Sequence, residues 1–175
     1  DRDTTGLLVI AKHLLAGCIL SDQMLNRQIH RQYRAIVCGK TEKEGIIDAP
    51  IGRTEDSTVL RRIDFEHGET ARTRYRLLSY DEEKDLSYIS LKLDTGRTHQ
   101  IRVHMASTGH PLLGDTLYHS DDKISSCASF SRAALHAWKV SFQHPFRDEM
   151  LLLEAPLPFD FRELVSLSGS DLLSI

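Results

Sequence analysis

The chain has 175 residues and a formal net charge of −3, and its 41% hydrophobic and 27% charged residues are ordinary for a globular domain. This length favours one domain with a substantial core. No apolar run in the sequence approaches the roughly 20 residues that a membrane-spanning helix needs. The three cysteines, Cys18, Cys38 and Cys127, have no metal-ligand spacing, so neither a disulfide framework nor a zinc site is expected.

Charge is distributed unevenly along the chain. A negative net charge is unusual for an RNA-binding domain, but segregated charge can still give an acidic protein a basic face. Arginines cluster within residues 27–34, 61–62, 72–76 and 97–102, whereas acidic residues concentrate at 81–85 and 121–122. Charge alone favours the simpler interpretation, in which these clusters are the solvated edges of strands and helices.

The first 53 residues contain two predicted strands, one predicted helix and one restricted segment. Residues 5–12 form a nearly continuous apolar run, which predicts a strand buried on both faces. Residues 13–28 carry apolar side chains at helical spacing and predict an amphipathic helix. Residues 32–39 alternate between two faces and predict a strand. The proline and glycine within residues 46–53 allow only a short edge strand or a turn there.

A hairpin and a helix are predicted next. Residues 71–79 and 86–93 are rich in β-forming residues and flank a charged stretch, which predicts an antiparallel hairpin. Residues 97–108 predict a helix. Either Thr95 or Thr98 is expected to be its N-cap, and Gly109 is expected just beyond its C-terminal end.

The last predicted elements complete the fold class. Residues 134–144 alternate and predict a strand, residues 150–155 predict its partner, and residues 159–167 predict a short closing helix. One face of the first of these strands is expected to carry His136, Trp138, Val140 and Phe142. Because strands dominate and hairpins imply antiparallel pairing, we expect an α+β fold. It would be a mixed, mainly antiparallel sheet with a few flanking helices, in a single domain over residues 1–175.

The acidic and histidine residues give weak signals for chemistry. Asp1 and Asp3 are alternate residues that could form an acid–base pair, although two solvated carboxylates in a loop are the simpler interpretation. His99 and His104 are five residues apart, so they would point to different sides of a helix. We therefore expect no metal site.

A possible anion site precedes the predicted helix at residues 97–108. Gly96, Arg97 and Thr98 offer backbone N–H groups and a cation at a helix N-terminus. Such a site suits an RNA phosphate or an internal carboxylate equally well.

Four stretches of the chain match ordered signatures. Residues 1–6 read Asp-Arg-Asp-Thr-Thr-Gly, and residues 95–104 read Thr-Gly-Arg-Thr-His-Gln-Ile-Arg-Val-His. The second of these stretches continues with Gly-His-Pro-Leu-Leu-Gly-Asp at 109–115, and the two weaker matches lie at 32–39 and 134–158. In this order they closely resemble the RluA family of pseudouridine synthases. The family's first signature is His-Arg-Leu-Asp-x-x-Thr-Ser/Thr-Gly, and this chain matches it from the Asp onward.

The resemblance implies an isomerase that converts uridine to pseudouridine in structured RNA. It implies that Asp1 is the nucleophile, that Tyr33 stacks on the target uracil, and that Arg97 pairs with the Asp1 carboxylate. A carboxylate nucleophile must be ionised in a dry pocket, and an adjacent guanidinium favours that charged form. The uridine must also leave its stack to reach such a pocket.

The resemblance also implies the substrate contacts and partners. Leu135 would line the floor of the base pocket, and we expect Arg102 and Thr98 to bind the substrate as well. The RNA would be ribosomal or transfer RNA, and the enzyme would be cytoplasmic. Neither a metal nor an organic cofactor is expected, and no membrane partner is expected.

The start of the chain departs from the family pattern. It opens on Asp1 without the His-Arg-Leu that precedes it in the family, so we expect a catalytic domain that is incomplete at its N-terminus. His119 stands where Gly commonly follows the Tyr of the family. Two alternatives remain open: a non-catalytic RNA- or ribosome-binding remnant of the same fold, and a carboxylate-dependent hydrolase built on Asp1 and Asp3.

Overall fold

A computed structural model describes residues 1–55, 57–119 and 130–164. The elements in chain order are β1 (Thr5–Gly6), α1 (Leu14–Leu25), β2 (His30–Cys38), β3 (Glu44–Asp48), β4 (Ile51–Arg53), β5 (Arg61–Ile63), β6 (Arg72–Asp81), β7 (Leu86–Leu93), α2 (Gln100–Ser107), β8 (Leu135–Gln143), β9 (Met150–Glu154) and α3 (Phe159–Leu164). Seven strands form one sheet in the order β1-β8-β2-β7-β6-β3, with β9 also paired to β8. β4 and β5 form a separate two-stranded sheet.

The sheet confirms the predicted α+β class. β6 and β7 form the predicted hairpin, and β2 lies antiparallel between β7 and β8. Among the pairings of the described residues, the one between β1 and β8 is parallel, which makes the sheet mixed. The alternating pattern of β8 also holds, because its even-numbered side chains, His136 to Phe142, are buried.

Two helices cover opposite faces of the sheet. Successive strand residues point to opposite faces, so Ile36 and Val37 of β2 mark the two sides. Val37 packs in a cluster with Ile101 of α2, whereas Ile36 packs in another with Phe161 of α3. α2 ends as predicted, because Gly109 follows it with φ +83°.

The predicted first helix is present but only weakly buried. Leu20 of α1 packs against Val140 and Phe142 of β8, whereas Leu14 and Leu25 at its two ends are largely exposed. In the described part of the chain, no helix is long and apolar enough to cross a membrane.

The prediction of a buried strand over residues 5–12 was wrong. Only Thr5 and Gly6 pair with β8, and Leu8 and Ile10 are 80% and 74% exposed. The reason is competition for one strand edge. β9 pairs with β8 from Lys139 onward, so β1 cannot extend along that edge beyond the first residues of β8.

Candidate active site

The segment that carries Asp1 is anchored to the sheet by β1. The Thr5 hydroxyl lies 2.9 Å from Nδ1 of His136. Gly6 has φ +98°, and a Cβ at this position would collide with the carbonyl oxygen of Ala137. A glycine is therefore required for the chain to approach β8 this closely. Thr5 and Gly6 of the first signature thus anchor the chain to β8 four and five residues after Asp1.

Leu135 lies on β8, which pairs with β1, and Tyr33 lies on β2, which pairs with β8. Leu135 begins β8, is 2% exposed, and its carbonyl oxygen accepts the Thr5 hydroxyl at 3.4 Å. Tyr33 of β2 packs against the same core cluster as Leu135. Beside Tyr33 the register shifts and leaves Trp138 as an extra residue, a β-bulge of the kind found next to active sites. Asp1, Leu135 and Tyr33 therefore come from three adjacent strands or their ends.

The imidazole ring of His99 lies beside the Asp1 carboxylate. Asp1 Oδ1 lies 3.8 Å from His99 Nε2, and the Asp1 side chain is 21% exposed. His99 Nδ1 lies 2.6 Å from the Tyr118 hydroxyl, which accepts the backbone N–H of Arg61 at 3.1 Å. Burial lowers the pKa of His99, and the nearby charges of Arg102 and Arg61 lower it further. The ring is therefore neutral at pH 7.

The loop before α2 is held by the side chain of Gln100, which is 3% exposed. Its Oε1 accepts the Thr95 hydroxyl at 2.8 Å and the Arg97 backbone N–H at 2.9 Å, and its Nε2 donates to β6. The prediction of Thr95 or Thr98 as N-cap was wrong. The residue before the helix is His99, in a left-handed conformation, because Gln100 already binds the loop.

The structure does not pair Arg97 with Asp1. The Arg97 guanidinium forms an ion pair with Glu69, and its Nε donates to the carbonyl oxygen of Thr70 at 3.0 Å. The Arg97 and Glu69 side chains are 38% and 70% exposed, so the pair contributes little stability and can exchange partners at low cost. Arg97 is two residues from His99, which contacts Asp1.

The structure gives Arg102 an internal partner, Asp115, and its contact with substrate stays a prediction. Its Nε and Nη2 each donate to the Asp115 carboxylate at 2.7 Å. The two side chains are 5% and 0% exposed. Burial opposes charge on Arg102, but the hydrogen bonds and charge of Asp115 raise its pKa overall. Asp115 also accepts the backbone N–H groups of Leu117 and Tyr118, so the ion pair shapes the turn that carries Tyr118.

A groove beside this loop carries positive charge. Its polar lining comprises Arg53, Arg61, His67, Glu69, Arg97 and Thr98. The acidic residue of this set, Glu69, is already paired with Arg97. Thr98 is exposed at this surface, so the predicted substrate-binding loop borders the groove. Among residues 1–55, 57–119 and 130–164, no group of three or more His, Cys, Asp or Glu side chains could hold a metal ion.

Sequence reasoning missed the position of His99 beside Asp1 and the contacts by which Gln100 holds the loop before α2. Both are polar residues at the start of a helix, where exposure is the ordinary expectation. Both are buried here, at 8% and 3%. The two residues are adjacent within the second signature, which was the one signal for their importance. The sequence could not show their contacts, because the partners Tyr118 and Thr73 lie far away along the chain.

Comparison with known proteins shows the family of the chain. The family model described as RNA pseudouridylate synthase matches residues 1–107. An uncharacterised RNA pseudouridine synthase of Bacillus subtilis, YhcT, is 45% identical over 165 residues, which cover 94% of this chain and 53% of the relative. Ribosomal large subunit pseudouridine synthase D of Nitrosomonas europaea is 45% identical over 169 residues, covering 94% of this chain and 48% of the relative.

The fold comparison agrees. The structure of human RNA pseudouridylate synthase domain containing 1 matches with a TM-score of 0.76 and 28% identity, covering 91% of this chain and 67% of that one. The fold is thus that of a pseudouridylate synthase domain. The chain belongs to the RNA pseudouridylate synthase family. It spans about half the length of the curated relatives named above.

Proposed function

We propose that the protein isomerises uridine to pseudouridine in ribosomal or transfer RNA, with Asp1 as its nucleophile. The observation that carries the proposal is the position of Asp1. Its partly buried carboxylate lies beside a neutral histidine. The segment that carries Asp1 leads into β1, which pairs with β8, the strand of Leu135, and β8 in turn pairs with β2, the strand of Tyr33. An enzyme that acts on these RNAs is expected in the cytoplasm.

The Asp1 carboxylate supplies the chemistry that the reaction needs. It adds to C1′ of the ribose or assists formation of a glycal, and in either route the bond between C1′ and N1 of uracil breaks. The detached uracil then rotates and C5 bonds to C1′. In the addition route this step breaks the ester bond between Asp1 and C1′, and in the glycal route C2′ takes back the proton that it gave up. The C5 proton passes to a base, and N1 takes up a proton. No redox step is required, so a carboxylate and a base are sufficient.

Tyr33 and Leu135 fit the task of holding the detached base. Tyr33 is partly buried on β2 and presents an aromatic ring, on which a base can stack with about 1–3 kcal/mol. Leu135 is buried in the adjacent strand and offers an apolar floor. Both surfaces are needed, because the uracil must stay in place while it is not covalently bound.

Arg97 remains in the proposal as the guanidinium that pairs with Asp1 when RNA is bound. Its present partner Glu69 is exposed, so exchange costs little. A bidentate guanidinium contact would fix the orientation of the carboxylate and favour its charged form. Gln100 holds the Arg97 backbone at 2.9 Å, which fixes the point from which the guanidinium extends.

The groove next to Arg97 is proposed to bind the RNA backbone. Arg53 and Arg61 line it together with Thr98, and this explains how a chain of net charge −3 offers a basic surface to RNA. Contacts of this kind position the RNA and are weakened by salt.

Deletion of the natural gene tests this function. Pseudouridine in ribosomal and transfer RNA should be mapped in the deletion strain, in the strain complemented with the intact natural protein, and in the strain complemented with its Asp1→Asn variant. We expect one or more uridines to stay unmodified in the deletion strain and to be modified again only with the unchanged protein. An unchanged set of pseudouridines after deletion would favour the RNA-binding remnant instead.

A further inference from the structure

The hydrogen bonds around His99 favour one assignment of its ring hydrogen. The backbone N–H of Arg61 donates to the Tyr118 oxygen at 3.1 Å, which leaves the Tyr118 hydroxyl proton for His99 Nδ1 at 2.6 Å. Burial raises the pKa of Tyr118, so the hydroxyl keeps its proton. A neutral imidazole that accepts at Nδ1 carries its hydrogen on Nε2.

Nε2, the nitrogen that carries the hydrogen of the neutral ring, is the atom of His99 that faces Asp1. Nε2 lies 3.8 Å from Asp1 Oδ1, which is longer than a hydrogen bond. Catalytic hydrogen bonds are often long before the substrate binds and tighten in the complex. The charged side chains around the ring are Asp1, Arg102, Arg61 and Asp115. Burial lowers the pKa of the ring most, and Arg102 and Arg61 lower it further.

We propose that His99 is a positioning residue, which holds the Asp1 carboxylate for attack through the hydrogen on Nε2. Tyr118 fixes the ring in this tautomer, and the Arg102–Asp115 ion pair fixes the turn that carries Tyr118. The inference rests on the proposed function, because it assigns His99 to the same reaction. It does not place His99 on the substrate itself.

Two substitutions separate this role from simple packing. The amide nitrogen of Gln can replace Nε2, so His99→Gln keeps a donor toward Asp1. The amide of Asn replaces only Nδ1, so His99→Asn keeps the contact with Tyr118 but loses that donor. A merely structural His99 would therefore tolerate Asn at least as well as Gln, whereas a positioning His99 must tolerate Gln better.

The experiment uses the intact natural protein and ribosomal and transfer RNA from the deletion strain. Single-turnover formation of pseudouridine, RNA affinity and melting temperature should be measured for each variant. We expect His99→Asn to react about 100-fold more slowly with unchanged RNA affinity, as is usual when a reacting group is misplaced by about 1 Å. His99→Gln should retain most of the rate. The control His110→Gln, at the far end of α2, should match the unchanged protein.

Each other result has a definite meaning. Equal losses in the two His99 variants, a better rate for Asn than for Gln, or normal turnover in both would overturn the inference and leave the proposed function standing. No turnover in the unchanged protein would overturn both. If His99→Asn does not fold, Tyr118→Phe decides. This variant leaves His99 in place but removes the hydroxyl that keeps the ring hydrogen on Nε2. A slower reaction with unchanged RNA affinity supports the inference, and a normal rate overturns it.

Discussion

Replacing Asp115 by Ala should destabilise the fold strongly, because it leaves the guanidinium of Arg102 buried without its partner. The carboxylate accepts two hydrogen bonds from Arg102 at 2.7 Å and two more from backbone N–H groups of its own turn. The Asp115 side chain has no exposure and Arg102 has 5%. Removing one partner of such a pair costs about 3–5 kcal/mol.

The loss can be read from the melting temperature and from urea unfolding. A domain of this size shifts by about 2–4 °C per kcal/mol, so the melting temperature should fall by about 10 °C. The double variant Arg102→Met with Asp115→Leu should recover much of this loss, because it removes both buried charges together. The exposed pair of Arg72 and Asp48 provides a control, and Asp48→Ala should have far less effect.

The measured loss of stability shows whether the buried charge of Arg102 depends on Asp115. A loss below about 1 kcal/mol for Asp115→Ala would refute the argument that the charge on Arg102 is buried and dependent on Asp115. Failure of the double variant to recover stability would show that the pair contributes through more than mutual neutralisation.

Three further predictions follow from individual contacts. Gly6→Ala should abolish turnover, because the new Cβ would collide with the carbonyl oxygen of Ala137. Gly109→Ala is the control and should keep turnover, because Gly109 also has a positive φ but a Cβ there would meet no atom within 4 Å. Equal activity of the two variants would contradict this prediction. Burial lowers the pKa of His104, so this ring takes up a proton more readily in the unfolded chain, and the free energy of unfolding should fall as pH drops below about 6.5. Urea unfolding between about pH 7.5 and 5 checks the sign, and His104→Gln should flatten the dependence. Arg97→Lys keeps the charge but loses the bidentate fork, so turnover should fall severely and RNA affinity only slightly; the reverse pattern would make Arg97 a phosphate ligand.

Local pattern was sufficient to predict most of the sheet. Alternation within residues 134–144 predicted β8 and its buried face, and the charged stretch between two β-rich runs predicted the β6–β7 hairpin. Residues 5–12 were predicted wrongly because an apolar run does not reveal which strand occupies the neighbouring edge. Here β9 occupies it, and β9 lies about 140 residues further along the chain.

The candidate site was predictable only where a signature carries it. Asp1 and the glycine at position 6 were found from sequence order, and the structure supplies the reason for the glycine. The partner of Arg102 was not predicted, because Asp115 is distant enough that no helical spacing joins them. His99 was considered only as a possible metal ligand, because its positions beside Asp1 and Tyr118 exist only in the folded chain.

Single-turnover isomerisation by the purified intact protein carrying Asp1→Asn tests the central claim most directly. Asn keeps the shape of the side chain but is neither nucleophilic nor charged, so we predict no pseudouridine from RNA that the variant still binds. Asp3→Asn is the matched control, since Asp3 lies two residues away and should cost far less. Retained turnover in Asp1→Asn, with or without loss in Asp3→Asn, would contradict the assignment of Asp1 as the nucleophile.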